Sequence, residues 1–303
     1  MVSRDSTGHG SLRSVLVPTD FSKGAELALR RALLLPLAPR AKVDLLHVLP
    51  PDLPAKLRAQ ATADAKHALG EIVARTRKAI GERVTVVPDV RAGEAFVEII
   101  RRSRSLDAQL VVLGRHGRRT IRDRFISTTA ERVVRKGDVP VLVVNTPAAH
   151  PYRHPLVATD LGDSSTRTIE LALQVIGPSS ATIHVAHACH IPFEGFVTPT
   201  RAGKQTSEYR RTLQQRARGE LDRLLARFAD RGVQWKSSVR VGDARSVLLG
   251  EIVRQRADVI ALGTHGRSGV AHALIGSVAE WVIEAAPCDV LVARPVRFSF
   301  EAP

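Results

Sequence analysis

The sequence predicts an α/β protein built from two tandem domains, each a doubly wound, five-stranded parallel sheet with helices on both faces. Three observations carry this. The chain repeats itself, each copy alternates short β-branched runs with helical stretches, and a glycine pair follows the fourth run of each copy.

The repeat comes first, because a missed repeat misreads the whole fold. Val17-Pro18-Thr19-Asp20 recurs as Val157-Ala158-Thr159-Asp160, and Ala41 to Val48 recurs as Ala181 to Ala188, both at an offset of 140 residues. Val112-Leu113-Gly114-Arg115-His116-Gly117 recurs as Ala261-Leu262-Gly263-Thr264-His265-Gly266, and Val141-Leu142-Val143 as Val290-Leu291-Val292, both at an offset of 149. A longer connection in the second copy, around Ile191 to Gln205, absorbs the difference. The expected domains are residues 1–147 and 151–303. Pro147, Pro151 and Pro155 mark the linker between them, because proline disfavours continuous helix or strand.

The apolar runs of the first copy are Val15 to Val17, Val43 to Val48, Val84 to Val87, Leu110 to Leu113 and Val139 to Val144. They are short and apolar on both faces, as strands of a parallel sheet covered on both sides should be. Helical patterns fall between them, at Lys23 to Leu35, Ala55 to Ile80, Ala95 to Ser103 and Thr128 to Lys136. The second copy places strands near Leu156, Ile183, Val239, Ile260 and Leu291, and a helix over Ser277 to Ala285. Right-handed crossovers then give a doubly wound sheet whose ligands bind beyond the carboxyl ends of the strands.

Two features stand at those ends. The first strand of each copy ends in Thr-Asp, so Asp20 and Asp160 can meet a ribose or a metal ion, or equally cap the following helix. The fourth strand runs into Gly263-Thr264-His265-Gly266, then nine residues, then Gly276-Ser277-Val278 at a helix start. Glycines admit backbone N–H groups close to phosphate oxygens, and a helix N-terminus adds partial positive charge. The alternative is a tight turn with a capping serine.

The spacing Gly263-x2-Gly266-x9-Gly276-Ser277 resembles the ATP-binding pattern of the universal stress protein family, and the resemblance extends over nearly the whole chain, twice. It implies a Rossmann-like fold of the adenine nucleotide alpha hydrolase-like type. It also implies adenine near Val48 or Ala188, ribose near Asp20 or Asp160, and a triphosphate with Mg²⁺ along the glycine motif. Pairing of the two copies through their last strands, as an internal pseudo-dimer, follows from the same resemblance. The first copy departs from the pattern. Gly114 and Gly117 are in place, but Ser127 stands where the family has glycine, and Thr128 keeps the hydroxyl. A Cβ there would crowd a phosphate or forbid positive φ. The basic run Arg118 to Arg124 offers guanidinium groups that grip phosphate or simply face solvent. The second copy is therefore the better expected ATP site.

Composition narrows the alternatives. The formal net charge of +15 favours anionic partners, but the basic residues are scattered and aromatics make up only 4% of the chain. Stacking platforms for single-stranded nucleic acid need aromatics, so nucleic acid is not the expected partner. Two distant cysteines, Cys189 and Cys288, suit buried thiols in a reducing compartment. No apolar run reaches membrane-spanning length and the polar start lacks a signal-peptide core, so the expected location is the cytoplasm. Neither a P-loop nor a dinucleotide fingerprint is present. His184, His187, Cys189 and His190 invite a metal reading, but strand alternation points His187 away from His184 and His190. Trp235 and Trp281 read as packing residues. No catalytic base is assembled, which leaves a nucleotide-sensing regulator as the expected function. A slow ATPase on the same fold and a basic scaffold for acidic partners are the rivals. Homo-oligomers remain open.

Overall fold

The computed structural model describes residues 11–115, 128–177, 182–190, 204–264 and 275–294. The first half runs β1 (Leu12–Pro18), α1 (Lys23–Leu33), β2 (Leu37–Leu49), α2 (Ala55–Ile80), β3 (Val84–Ala92), α3 (Ala95–Ser105), β4 (Leu110–Gly114), α4 (Thr128–Lys136) and β5 (Val141–Val144). The second runs β6 (Pro155–Thr159), α5 (Ser164–Ile176), β7 (Thr182–Cys189), α6 (Lys204–Ala226), β8 (Gln234–Val241), α7 (Ala244–Gln255), β9 (Val259–Gly263), α8 (Ser277–Ala285) and β10 (Asp289–Ala293). The α/β reading holds in every element. The expected connection at Ile191 to Gln205 is shorter than the sequence suggested at its far end, because α6 already begins at Lys204.

All ten strands form one sheet, ordered β3-β2-β1-β4-β5-β10-β9-β6-β7-β8. Pairing is parallel within each half and antiparallel where β5 meets β10, with Val143 opposite Val290 and Leu142 opposite Leu291. Strand alternation sends Val15 and Val17 to one face and Leu16 to the other. Each face carries one core that crosses the seam: residues of α1, α2, α5 and α6 pack on one side, residues of α3, α4, α7 and α8 on the other. At the stabilisation expected per fully buried aliphatic side chain, about 1.5–3 kcal/mol, these two layers dominate the fold.

Polar groups lock the seam. The Asp289 carboxylate is fully buried and accepts from the Arg31 guanidinium (3.0 Å), the Tyr152 hydroxyl (2.7 Å), and the backbone N–H groups of Asn145 and Thr146 (2.9 and 3.0 Å). Asn145 also donates to the Cys288 carbonyl at 2.8 Å, just past the end of α8. From the other half, buried Arg294 donates to the Gly137 and Arg135 carbonyls (2.6 and 2.8 Å) at the end of α4. Each half thus satisfies carbonyls that the helix end of the other leaves unpaired. Between Val144 and Pro155 the linker holds neither helix nor strand, and it lies under this network. Among the described residues no helix is long and apolar enough to cross a membrane.

Candidate functional site

In each half the chain moves outward from the first strand to the second and third, then returns to the first strand's other side. The switch points lie between β1 and β4 and between β6 and β9. Connections leave such a point on opposite faces, which opens a crevice at the strand ends. In the second half this crevice is a cavity of about 540 Å³, within the range of small-molecule sites. Asp160, Ala188, Gly263, Thr264, Gly276, Ser277 and Val278 all line it.

Local chemistry shapes the end of β6. Leu161 takes a left-handed conformation (φ 60°), which turns the chain sharply after Asp160. Two side chains hold that turn: the Thr159 hydroxyl accepts from the Leu161 N–H (3.0 Å), and Asp160 Oδ1 accepts from the Gly162 N–H (3.0 Å). Thr159 Oγ1 donates to Ser165 Oγ (2.7 Å), which donates to Asp160 Oδ1 (3.1 Å). These bonds fix the carboxylate through one oxygen, Oδ1. Asp160 is therefore an Asx-turn acceptor beside the cavity; the cap position of α5 falls to Asp163, further along the same run, which makes no side-chain cap bond.

The opposite wall is backbone. The Gly276 N–H donates to the Thr264 carbonyl (2.7 Å), and the Thr264 N–H donates to the Ala293 carbonyl (3.2 Å). A Cβ on Gly276 would stand 3.1 Å from that Thr264 carbonyl, while φ is −60°. Close approach is thus the reason for glycine here, and positive φ is not. Gly276 caps α8 without a side-chain bond, so the first-turn N–H groups of Ser277 and Val278 are open to an acceptor at the cavity. His265 and Gly266 lie outside the described residues, as do Gly117, Ser127 and the basic run Arg118 to Arg124; Thr128 opens α4, with its side chain outside the description.

The first half repeats the turn and changes its surroundings. Phe21 has φ 62°, its N–H donates to Thr19 Oγ1 (3.1 Å), and the Ser22 N–H donates to Asp20 Oδ1 (3.0 Å). Ser22, not Asp20, caps α1, by accepting from the Ala25 N–H (3.2 Å). Ala25 stands where the second half has Ser165, so the hydroxyl that links Thr159 to Asp160 has no counterpart at that position. Gly24 presses its carbonyl against Gly114: a Cβ on Gly114 would lie 2.0 Å from that oxygen, and one on Gly24 would lie 2.3 Å from the Arg115 carbonyl. At the matching place in the second half, Ser164 and Gly263 both face the cavity. A first-half cavity lies beside this turn, lined by Thr19, Phe21, Ser22 and Ala25, and none of Asp20, Val48 and Gly114 borders it.

The histidines work as lacing. His187 and His47 each bond a strand-end carbonyl through Nδ1, to Thr159 and Thr19 at 2.8 Å. His184 bonds Ser238 Oγ (3.0 Å) and stands 3.6 Å from the Glu251 carboxylate, on the face away from His187. Burial lowers its pKa below the ordinary histidine value, with Glu251 opposing. Trp235 donates to the Phe228 carbonyl (3.2 Å), and Trp281 packs against the α3, α4, α7 and α8 core. Both cysteines are buried, and burial pushes the Cys288 thiol up to about 12. Leu213, Arg216, Ala217 and Glu220 of α6 form a cavity wall that sequence reading did not name. Their i, i+3, i+4, i+7 spacing was the available signal.

Comparisons with known proteins agree with this fold. A model described as the Universal stress protein family matches residues 11–145 and 151–294. A universal stress protein of Mycolicibacterium smegmatis is 28% identical over 298 residues, covering 93% of this chain and 97% of that protein. Universal stress protein A homolog 2 of Coxiella burnetii is 28% identical over 145 residues, which is 47% of this chain and 95% of its own length. A solved universal stress protein from Archaeoglobus fulgidus has a TM-score of 0.67 at 20% identity, covering 93% of this chain and 98% of that one, a likeness of fold.

Proposed function

The chain belongs to the universal stress protein family, and on that premise we propose that it binds an adenine nucleotide, ATP with Mg²⁺, in the cavity of its second half and acts as a nucleotide-responsive regulator. One observation carries the reading: a fixed carboxylate, a glycine held against backbone and an open helix N-terminus all border the same 540 Å³ space. Asp160 Oδ2 would accept from ribose hydroxyls. The backbone around Ala188 would meet adenine. The N–H groups of Ser277 and Val278, with the Ser277 hydroxyl, would hold phosphate oxygens. Phosphates supply most of the ligands of a bound Mg²⁺, and the Asp160 and Glu220 carboxylates at the wall are oxygen donors of the kind it takes. His265, Gly266 and the rest of the glycine motif complete the proposed cradle. Regulation follows if the nucleotide binds one arrangement of the site better than another and so alters partner docking.

Native mass spectrometry of the purified protein should show one adenine nucleotide per chain. Calorimetry with ATP, AMP and cyclic AMP then ranks the ligands. Gly276→Val places its side chain against the Thr264 carbonyl and the phosphate position, and should weaken ATP by roughly a hundredfold. Unchanged affinity in that variant would remove the site.

A further inference from the structure

The groove between the first two helices of each half differs between the copies. In the second half it is bordered by Leu161, Gly162, Thr166, Glu220, Leu224 and Arg227. The repeat-equivalent groove of the first half is bordered by Phe21, Ser22, Glu26, Ala68, Ile72 and Arg75. The correspondence of α2 with α6 is set by burial: Ala65, Leu69 and Thr76 are buried as Ala217, Leu221 and Phe228 are, at an offset of 152.

That correspondence explains why one groove has an apolar floor. In the second half Phe228 is buried under α6 with its ring 6.1 Å from Trp235, and together they fill the space between helix and sheet. The first half has Thr76 and Val86 at those positions, both far smaller. Ala68 replaces Glu220 and Ala79 replaces Arg231. The two grooves are alike in volume, about 580 and 550 Å³, but the first-half one reaches down to Leu29, Leu33 and Leu45, whereas the second-half one is lined mainly by polar residues. In the second half Arg227 is committed across the groove, its guanidinium donating to Thr166 Oγ1 at 3.1 Å. In the first half Glu26, at the Thr166 position, is engaged by Arg30 (2.7 Å), and Arg75, at the Arg227 position, makes no hydrogen bond or ion pair among the described residues.

We propose that this first-half cavity binds a small amphipathic carboxylate, with a medium-length alkyl chain laid on Leu29, Leu33, Leu45 and Ile72 and its carboxylate held by Arg75. The volume lies within the range of small-molecule sites, roughly 300–1,000 Å³. An apolar floor of this kind takes alkyl groups; of the charged groups at the rim, Glu26 is paired with Arg30, and Arg75, beside Glu71, is the guanidinium left to meet an anionic head. The site is separate from the proposed nucleotide cavity, which lies in the other half, and does not depend on it.

Decanoate is the probe, titrated into the full-length protein by calorimetry. Saturable one-to-one binding with a dissociation constant below about 1 mM is expected. Thr76→Phe copies the second half and should fold, because its twin already packs there; it should weaken decanoate at least about tenfold. Ala68→Glu, on the half-buried lip, should do the same without touching the core. Arg75→Ala should bring decanoate down to the affinity of decanol, about tenfold weaker. ATP affinity should be unchanged in all three variants. No saturable binding by the wild type, or equal affinity in Thr76→Phe and Ala68→Glu, overturns the site. Decanol binding the wild type as tightly as decanoate overturns the role of Arg75.

Discussion

The two strand-end mouths share a backbone and differ in what stands on it. Phe21 and Leu161 adopt the same left-handed turn, and Thr19-Asp20 and Thr159-Asp160 hold it with the same bonds. Yet in the first half the Gly24 carbonyl lies on Gly114, whereas in the second Ser164 and Gly263 face open space. Phe21 further covers His47, ring to ring at 4.5 Å. A strand-turn-helix frame therefore does not open a cavity by itself. The cavity needs the helix start to stand off the neighbouring strand, and a pair of glycines in contact removes that clearance.

The strongest way to break the comparison is to part the halves. Asp289→Ala leaves Arg31 as an uncompensated buried charge, which should cost about 3–5 kcal/mol in chemical denaturation. Next comes an exchange of the residues that set the clearance. Gly24→Ser puts a Cβ 2.3 Å from the Arg115 carbonyl and should destabilise the fold by about 1–3 kcal/mol. Ser164→Gly, the reverse exchange at an open position, should cost less than about 1 kcal/mol. Equal costs by thermal melting would show that the first mouth can relax open. The aspartates sharpen the contrast in binding: Asp160→Ala should weaken ATP about tenfold, and Asp20→Ala should leave it unchanged.

The smallest effect is a pH dependence. The first half places Asp44 against Arg102 (2.7 Å), and the second half has His184 and Glu251 at those positions. Burial raises the pKa of Glu251, but donors from Gln255 and Arg240 and the charge of Arg254 outweigh it, so this carboxylate stays charged well into acid. His184 has its pKa lowered. The unfolded chain then takes up a proton near its ordinary value while the folded chain resists, so stability falls as pH drops below about 6.5 toward the lower folded value. Denaturation at about pH 7.5 and pH 5.5 should show this slope, and His184→Gln should flatten it.

Much of this was legible in the sequence, because it is periodic. The bounds of α2, α4 and α8 agree with the helical patterns, and the strands grew mainly at their ends, β2 from Val43 back to Leu37. Asp160 and Gly276 were legible through the repeat and the glycine spacing. What escaped depends on contact between distant segments. Arg31 and Asp289 are 258 residues apart, and nothing local marks either as a partner. The Gly24 contact escaped because a glycine at the start of a helix reads as conformational freedom, when its use here is proximity. The α6 wall escaped because a helix stripe facing a cavity and one facing a core have the same spacing.

The antiparallel joint of β5 and β10 has a directional consequence. Since all strands of one half run against those of the other, the carboxyl edges of the two sub-sheets open on opposite sides of the molecule. A macromolecule approaching along one side meets a single mouth, and the other is hidden behind roughly a strand's length of protein, ~17–20 Å. What stands at the first mouth therefore does not obstruct a visitor at the second.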